Sequence, residues 1–507
     1  MTFPAADTMD PTRTQPARAG RVAAPRLFGA AVALLAAGCA VGPDYRRPEV
    51  AVPAAFKENT DWVPASPSDN ARRGPWWEAF GDPVLNDLEA RLDASNLTIA
   101  QAVANYEQAR QIARSDRTAY LPSVGVLGSA QRARTPAAQS VSGRGLTSTS
   151  YLAELQGTWE PDFWGKLRRT VESDIEAAQA SAASLASARL STQGALAQDY
   201  IELRSADDQA RLLEDAVEAY GRTVRITQNK YAVGVSARSD VITAQTQLDS
   251  TRAQLIGVGV QRAQLEHAIA VLLGKAPADF SIARRPALGL AIPEVPPQLP
   301  SRLLERRPDV AAEERSAAAA NARVGIQTAA FFPSVSVSGA AGYQGSPLDK
   351  LITEPFRFWT LGAQAADTLL DWGQRSDLVK SAKAAYDAAA ASYRQTVLTA
   401  FQQVEDNLAE IRILASEAAV EQQAVAEAEQ ATQISLNEYN AGTVDFTTVV
   451  TAQVTELNNK EAALTINTSR LLSSVALIQA LGGGWTAADL PSSSQVVARK
   501  PAAGVGN

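Results

Sequence analysis

The chain has 507 residues with a formal charge of -7, a mild acidity that argues against nucleic acid as a partner. Its single cysteine and single histidine, Cys39 and His267, exclude disulfides, Cys/His metal centres and most His-dependent triads. Only 12 Phe and 2 Met stand among the apolar residues, a composition suited to close helix packing rather than to a broad core.

In chain order, Arg13, Arg18, Arg21 and Arg26 precede the apolar run Leu27 to Ala37, which is too short to span a membrane and reads as a secretory signal. The sequence Leu34-Leu35-Ala36-Ala37-Gly38-Cys39 resembles a lipobox, with Ala36 where the usual leucine stands. That likeness implies cleavage after residue 38 and acylation of Cys39, where several acyl chains give an anchoring that one chain does not. By resemblance to lipoprotein sorting, Ala40 in place of aspartate after the cysteine implies the outer membrane.

Val41 to Pro75 is Pro-dotted and weakly periodic, an extended tail expected on the outside of the body, with Trp76, Trp77 and Phe80 packing against it. Leu85, Leu88, Leu92, Leu97, Ile99, Val103 and Tyr106 make one face of a helix expected to run to about Ala119, stopped by Leu121-Pro122. Two alternating stretches follow. In the better one, Tyr151, Ala153, Leu155, Gly157 and Trp159 alternate with Leu152, Glu154, Gln156 and Thr158; in the other, Val124 and Val126 face away from Ser123, Gly125 and Ser129.

From Trp164 to Gly274 the chain is then copied at a constant offset of 208 residues, from Trp372 to Gly482. Arg204 falls on Arg412, Tyr231 on Tyr439, Gly234 on Gly442 and Thr243-Ala244-Gln245 on Thr451-Ala452-Gln453. Each copy opens with a Pro-free run rich in Ala, Gln, Glu and Leu, a helix of about 100 Å at 1.5 Å per residue. Leu196, Tyr200, Leu203, Ala210, Leu213, Val217, Tyr220 and Val224 mark its coiled-coil seam. His267 lies in the returning helix as an ordinary surface or seam residue.

After the Pro-rich stretch Lys275 to Pro300, Pro300-Ser301 reads as a helix start, and Leu303 to Ala330 matches the first helix at offset 211. Val335, Val337, Gly339 and Ala341, then Trp359, Leu361, Ala363 and Ala365, supply the apolar faces of two more strands. All four have about the length of a tilted membrane strand, for which Tyr151, Trp159, Tyr343 and Trp359 would supply an aromatic girdle, although a soluble sandwich gives the same alternation. Arg132 to Ser150 and Gly345 to Phe356 are expected as extracellular loops. Four strands cannot close a membrane barrel, so spanning demands oligomerisation. The tail beyond Trp485 is expected to be disordered.

With these residues in hand the chain resembles a TolC-like outer membrane factor of the NodT or OprM lipoprotein type. The motifs that carry the likeness are Gly38-Cys39-Ala40-Val41-Gly42-Pro43-Asp44-Tyr45, Trp77-Glu78-Ala79-Phe80, Trp159-Glu160 with Asp162-Phe163-Trp164-Gly165-Lys166, and Leu299-Pro300 through Arg306-Arg307-Pro308-Asp309. The resemblance implies an α+β fold: a trimeric outer-membrane β-barrel with four strands per chain, continued by a long α-helical coiled-coil periplasmic tunnel and built from two structural repeats. The expected units are a signal peptide (1–38), a lipidated N-terminal tail (39–83), the first repeat (84–274), an inter-repeat equatorial segment (275–300), the second repeat (301–482) and a C-terminal tail (483–507).

The implied function is that of the outer membrane channel of a tripartite efflux pump, a passive homotrimeric duct without catalytic residues, cofactor or metal. Its partners would be outer membrane lipid, a periplasmic adaptor and an inner-membrane pump of the resistance-nodulation-division class. By position Gly234, Val235, Ser236, Gly442 and Thr443 match the family's adaptor-contacting tips. The gate positions fall on Thr448 and Thr451, with Asp445 the nearest acid. A duct for type I protein secretion and a lipid-anchored coiled-coil scaffold without a pore are the alternatives, the second disfavoured by the alternating strands.

Overall fold

A computed structural model describes residues 40–53, 55–58, 75–139, 143–285, 290–293 and 305–498. The signal segment, Cys39 and the expected helix start at Pro300-Ser301 lie outside them. A 3₁₀ turn, Trp76–Phe80, leads into α1 (Pro83–Ser95), α2 (Leu97–Thr118), the strands β1 (Ser123–Thr135) and β2 (Leu146–Trp159), the rod α3 (Lys166–Ala232) and its return α4 (Arg238–Leu272). The order recurs as α5 (Pro308–Ala329), β3 (Ser334–Gly345), β4 (Arg357–Ala366), α6 (Gln374–Ala441) and α7 (Phe446–Ala480), with a short α8 (Ser493–Val497) at the end.

The rods are unbroken, 67 residues in α3 and 68 in α6, so each is about 100 Å long. Both start at the glycine of a Trp-Gly pair, Gly165 or Gly373, in the left-handed conformation that a side chain resists. The predicted seam of α3 is buried at Leu196, Tyr200, Leu203, Ala210, Leu213, Tyr220 and Val224, and half-buried at Val217.

The helix expected as one piece from Leu85 to Ala119 is two. Its backbone leaves the helical region at Asn96, whose Oδ1 accepts from Ile99 N at 2.9 Å and so caps α2. The same side chain donates from Nδ2 to the Leu272 carbonyl at the end of α4, at 2.8 Å. The second half breaks at the corresponding place: Arg307 precedes Pro308 at the first position of α5, and its guanidinium donates to the Ala480 carbonyl at the end of α7 (3.1 Å). At both joints the chain passes too close for any Cβ. One on Gly274 would lie 2.6 Å from the Ser95 carbonyl oxygen, and one on Gly482 would lie 2.0 Å from that of Arg306.

The four strands form one antiparallel sheet in the order β1-β2-β3-β4. The ladders run without a bulge, so parity is kept throughout. Val126, Leu155, Ala341 and Trp359 lie in one row, and Gly125, Gln156, Ala340 and Thr360 in a row on the opposite face, as the alternation predicts. Among the described residues neither β1 nor β4 has a second partner strand. The first loop is shorter than expected, because β1 runs on to Thr135 and β2 begins at Leu146: cross-strand pairing holds residues that look like loop by composition. Likewise β3 takes in Gly345.

Two straps are fastened along the rods. Tyr45 donates to Glu314 Oε1 (3.1 Å), Arg169 pairs with Asp44 (2.8 Å), and Phe56 is buried with Val310, Tyr393 and Val397, so the N-terminal segment lies along α3, α5 and α6. Between the halves, Ile282 and Ala283 are fastened to α3 and α4 by a buried ion network. Asp207 receives Arg204 at 2.9 Å and Arg262 at 2.7 Å, while the two guanidinium groups also donate to the Ala283 and Ile282 carbonyls.

Within the C-terminal tail, expected to be disordered, Ala487–Asp489 and Ser493–Val497 are helical. Val496 is buried against Ala113 and Ala178, Gln179 donates to the Pro491 carbonyl (2.9 Å), and Arg110 and Arg114 donate to the Ala498 carbonyl. One buried valine and borrowed donors hold a segment whose own composition looks unstructured. No helix among the described residues is long and apolar enough to cross a membrane.

Candidate functional site

At the far ends of the two rods each helix closes in a Schellman turn. In the first, Gly234 (φ +76°) donates to the Tyr231 carbonyl at 3.0 Å and Val235 to that of Lys230 at 2.9 Å. In the second, Gly442 (φ +81°) donates to the Tyr439 carbonyl at 3.1 Å and Thr443 to that of Glu438 at 3.0 Å. Ser236 donates from Oγ to Asp240 Oδ2 (2.7 Å), which caps α4. The five expected tip residues thus sit at the two helix reversals, with Val235, Gly234, Gly442 and Thr443 exposed and Ser236 half-buried.

The two tips are tied together by residues that sequence reasoning missed. Lys230 donates to the Tyr439 carbonyl while its ammonium sits 3.9 Å from the centre of the Tyr439 ring, and that ring packs 5.3 Å from Phe446. Higher up, Tyr220 donates to the Gln453 carbonyl at 3.0 Å, and the Gln453 amide donates to Thr223 Oγ1 at 3.1 Å, all of it buried. The Thr-Ala-Gln repeat was the available signal: Gln453 is buried, whereas its copy Gln245 is half-buried and bonded to Asp249.

The expected gate residues share one exposed face of α7. Asp445 is its N-cap residue, and Thr448 and Thr451 follow along the helix. Phe446, Val449 and Gln453 form the buried face. All three gate positions are exposed. A cleft of about 570 Å³ lies between the coils above the tips, bordered by Asp215, Arg222, Glu429, Gln433, Glu456 and Lys460. Lys460 bridges Glu429 (2.7 Å) and Glu456 (2.6 Å) there.

At the other end of the rods Val41 donates to the Trp164 carbonyl at 3.1 Å, and Ala40 packs on Gly165, where a Cβ would lie 2.7 Å from the Ala40 Cα. Cys39 itself lies outside the described residues. Trp164 stacks on Phe332 at 4.9 Å, and Trp159 donates from its indole to the Tyr120 carbonyl at 3.1 Å. After β4, Leu369, Leu370 and Trp372 stand almost wholly in the open, an apolar surface that the alternation pattern did not announce.

Comparison with known proteins agrees with this geometry. The family described as outer membrane efflux protein matches residues 90–275 and 299–483, one segment per repeat. The probable efflux pump outer membrane protein TtgC of Pseudomonas putida is 29% identical over 460 residues, covering 90% of this chain and 95% of that protein. The pyoverdine export outer membrane protein OpmQ of Pseudomonas aeruginosa is 29% identical over 92% of this chain and 97% of its own length. Among solved structures, the outer-membrane channel OprN superposes with a TM-score of 0.82 at 29% identity, covering 88% of this chain and 100% of that one.

Proposed function

The chain belongs to the outer membrane efflux protein family and is an outer membrane channel component of an efflux pump; on that premise we propose that it works as a homotrimeric, passive exit duct. Three sheets would close into one twelve-stranded barrel, and the rods of three chains would form the periplasmic tunnel below it. The observation that carries this reading is the sheet. Its two faces are sorted by polarity, both of its edges are free among the described residues, and it is joined directly to rods about 100 Å long. A free edge in lipid leaves backbone donors and acceptors unpaired at several kcal/mol each, a cost that closure with neighbouring copies removes. The exposed Leu369, Leu370 and Trp372 give such a neighbour an apolar surface.

In this reading acyl chains on Cys39 anchor the N-terminal strap in the outer membrane. The tip residues Gly234, Val235, Ser236, Gly442 and Thr443 receive a periplasmic adaptor. The adaptor in turn engages an inner-membrane pump of the resistance-nodulation-division class, which supplies the energy. Asp445, Thr448 and Thr451 would form rings around the tunnel end, three copies of each. Purified protein in planar bilayers should conduct, and Asp445→Ala should lower the cation-to-anion permeability ratio by weakening the negative potential at the constriction. Protein that inserts but never conducts would overturn the duct. An unchanged ratio would move the gate away from Asp445.

A further inference from the structure

The β1–β2 hairpin carries a cluster of cations that neither the duct nor its gate uses. Between Asp116 and Glu154 the sequence holds no acidic residue, yet the hairpin carries Arg132, Arg134 and Arg144. All three are exposed, and among the described residues none has an ion-pair or hydrogen-bond partner for its guanidinium. The β3–β4 connection is balanced instead, with Asp349 and Glu354 against Lys350 and Arg357, and Arg357 paired to Glu354 at 2.8 Å.

Register puts two of these arginines on a particular face. The β1–β2 ladder is continuous, with Val126 opposite Leu155, Arg132 opposite Thr149 and Arg134 opposite Thr147, so Arg132 and Arg134 share the face of Val124 and Val126. That is the face assigned to lipid in the barrel reading, on which this inference rests. Nine residues separate Ser123 from Arg132; at about 3.3 Å per residue and a tilt near 40° they climb roughly 23 Å, the height of the apolar band of a membrane barrel, about 25 Å. Arg132 therefore stands at the upper rim of the band and Arg134 just above it, beyond the girdle residue Tyr151. Arg134 lies over Gly145, where a Cβ would be 3.3 Å from its Nε, so the hairpin leaves this guanidinium room that any larger residue would take.

We propose that this rim is a binding site for phosphorylated lipid headgroups of the outer leaflet, with Arg132 and Arg134 holding phosphate oxygens and Arg144 reaching them from the loop. Guanidinium groups suit this ligand because their forked donors match two phosphate oxygens at once and they shed water readily. A lipid-facing arginine costs little at this height, and an anionic headgroup layer there supplies the counter-charge that the protein lacks.

The test uses the full-length protein, purified in mild detergent and first shown to conduct in planar bilayers. It is mixed with a bis-phosphorylated glucosamine-disaccharide lipid or with its dephosphorylated form, and bound lipid is counted by native mass spectrometry. Retention should be at least about tenfold higher for the phosphorylated lipid, the worth of one charged hydrogen bond. R132Q/R134Q should remove that preference while leaving conductance intact, and R132K/R134K should restore part of it. Equal retention of the two lipids by conducting protein would overturn the site. So would a preference that survives in R132Q/R134Q. If the double variant does not insert, the comparison of the two lipids on the unaltered protein still decides. Absence of conductance in the unaltered protein would instead refute the barrel on which the site depends.

Discussion

The two rods began as copies and now meet different surroundings. In the first, Arg204 is buried in the ion network with Asp207 and Arg262, under the inter-repeat strap. In the second, the matching Arg412 is exposed and pairs with Glu58 of the N-terminal strap at 2.6 Å, and alanine, Ala415, stands where the first rod has Asp207. The tips diverge in the opposite sense: Tyr439 is buried between Lys230 and Phe446, whereas Tyr231 is 48% exposed. Equal backbones therefore do not imply equal energetics. The first rod finds its equatorial partners inside the chain, and the second leaves more of its surface exposed.

The largest effect should come from breaking the buried network. Asp207→Ala leaves two guanidinium groups without their shared carboxylate and should cost about 3–5 kcal/mol in denaturant unfolding. A loss below about 1 kcal/mol would show that the halves are not so different.

Next comes a pH dependence confined to the first half. Glu89 on α1 is fully buried, neither of its oxygens has a partner, and burial, reinforced by the charge of Asp93, pushes its carboxyl up to about 9. Below pH 4.5 the group is protonated in both states and has no effect. Between about 4.5 and 9 only the unfolded chain ionises, so stability falls as pH rises, by at most about 1.4 kcal/mol per unit. Glu89→Gln should flatten that slope and raise the melting temperature at pH 8, which calorimetry across the range would read. A slope that persists in the variant assigns it to another group.

The glycines sharpen the comparison between tip and joint. Gly442→Ala meets open space and should cost only the left-handed penalty, about 1–2 kcal/mol. Gly482→Ala drives a Cβ into the Arg306 backbone and should cost distinctly more. Equal costs would mean that the joint yields. The smallest effect is expected from Arg412→Ala, an exposed ion pair worth under about 1 kcal/mol in the same unfolding assay.

Much of this was legible because it is periodic. The fixed offset, the seam from Leu196 to Val224, the four strands and their faces, and the helix reversals at Gly234 and Gly442 each repeat a local pattern, and the structure holds them all. What escaped depends on partners far along the chain. Asn96 looks like one more helical position until its amide meets Leu272, 176 residues away. Arg132 to Thr135 reads as loop until paired with Leu146 to Thr149, and the residues up to Ala498 read as tail until Val496 meets Ala113. For the candidate site, Gly234 and Gly442 lie at helix reversals, and Asp445, Thr448 and Thr451 lie at the start of a returning helix, as the sequence pattern places them. It did not reveal the Lys230 to Tyr439 contact or the Gln453 tie, because charge and ring lie 209 positions apart.

The joints at Asn96 and Arg307 give the molecule uneven stiffness. Through the equator α3 and α6 carry an uninterrupted ladder of backbone hydrogen bonds, and bending them loads many bonds in series. Beside them the chain crosses the same level by handing over from α4 to α2 and from α7 to α5, held by a few hydrogen bonds around Ser95, Asn96 and Arg307. A sideways force at this level therefore meets stiff spars alternating with splices. The splices can slip by fractions of an ångström at the price of two or three hydrogen bonds, while the spars set the direction in which the lower half swings.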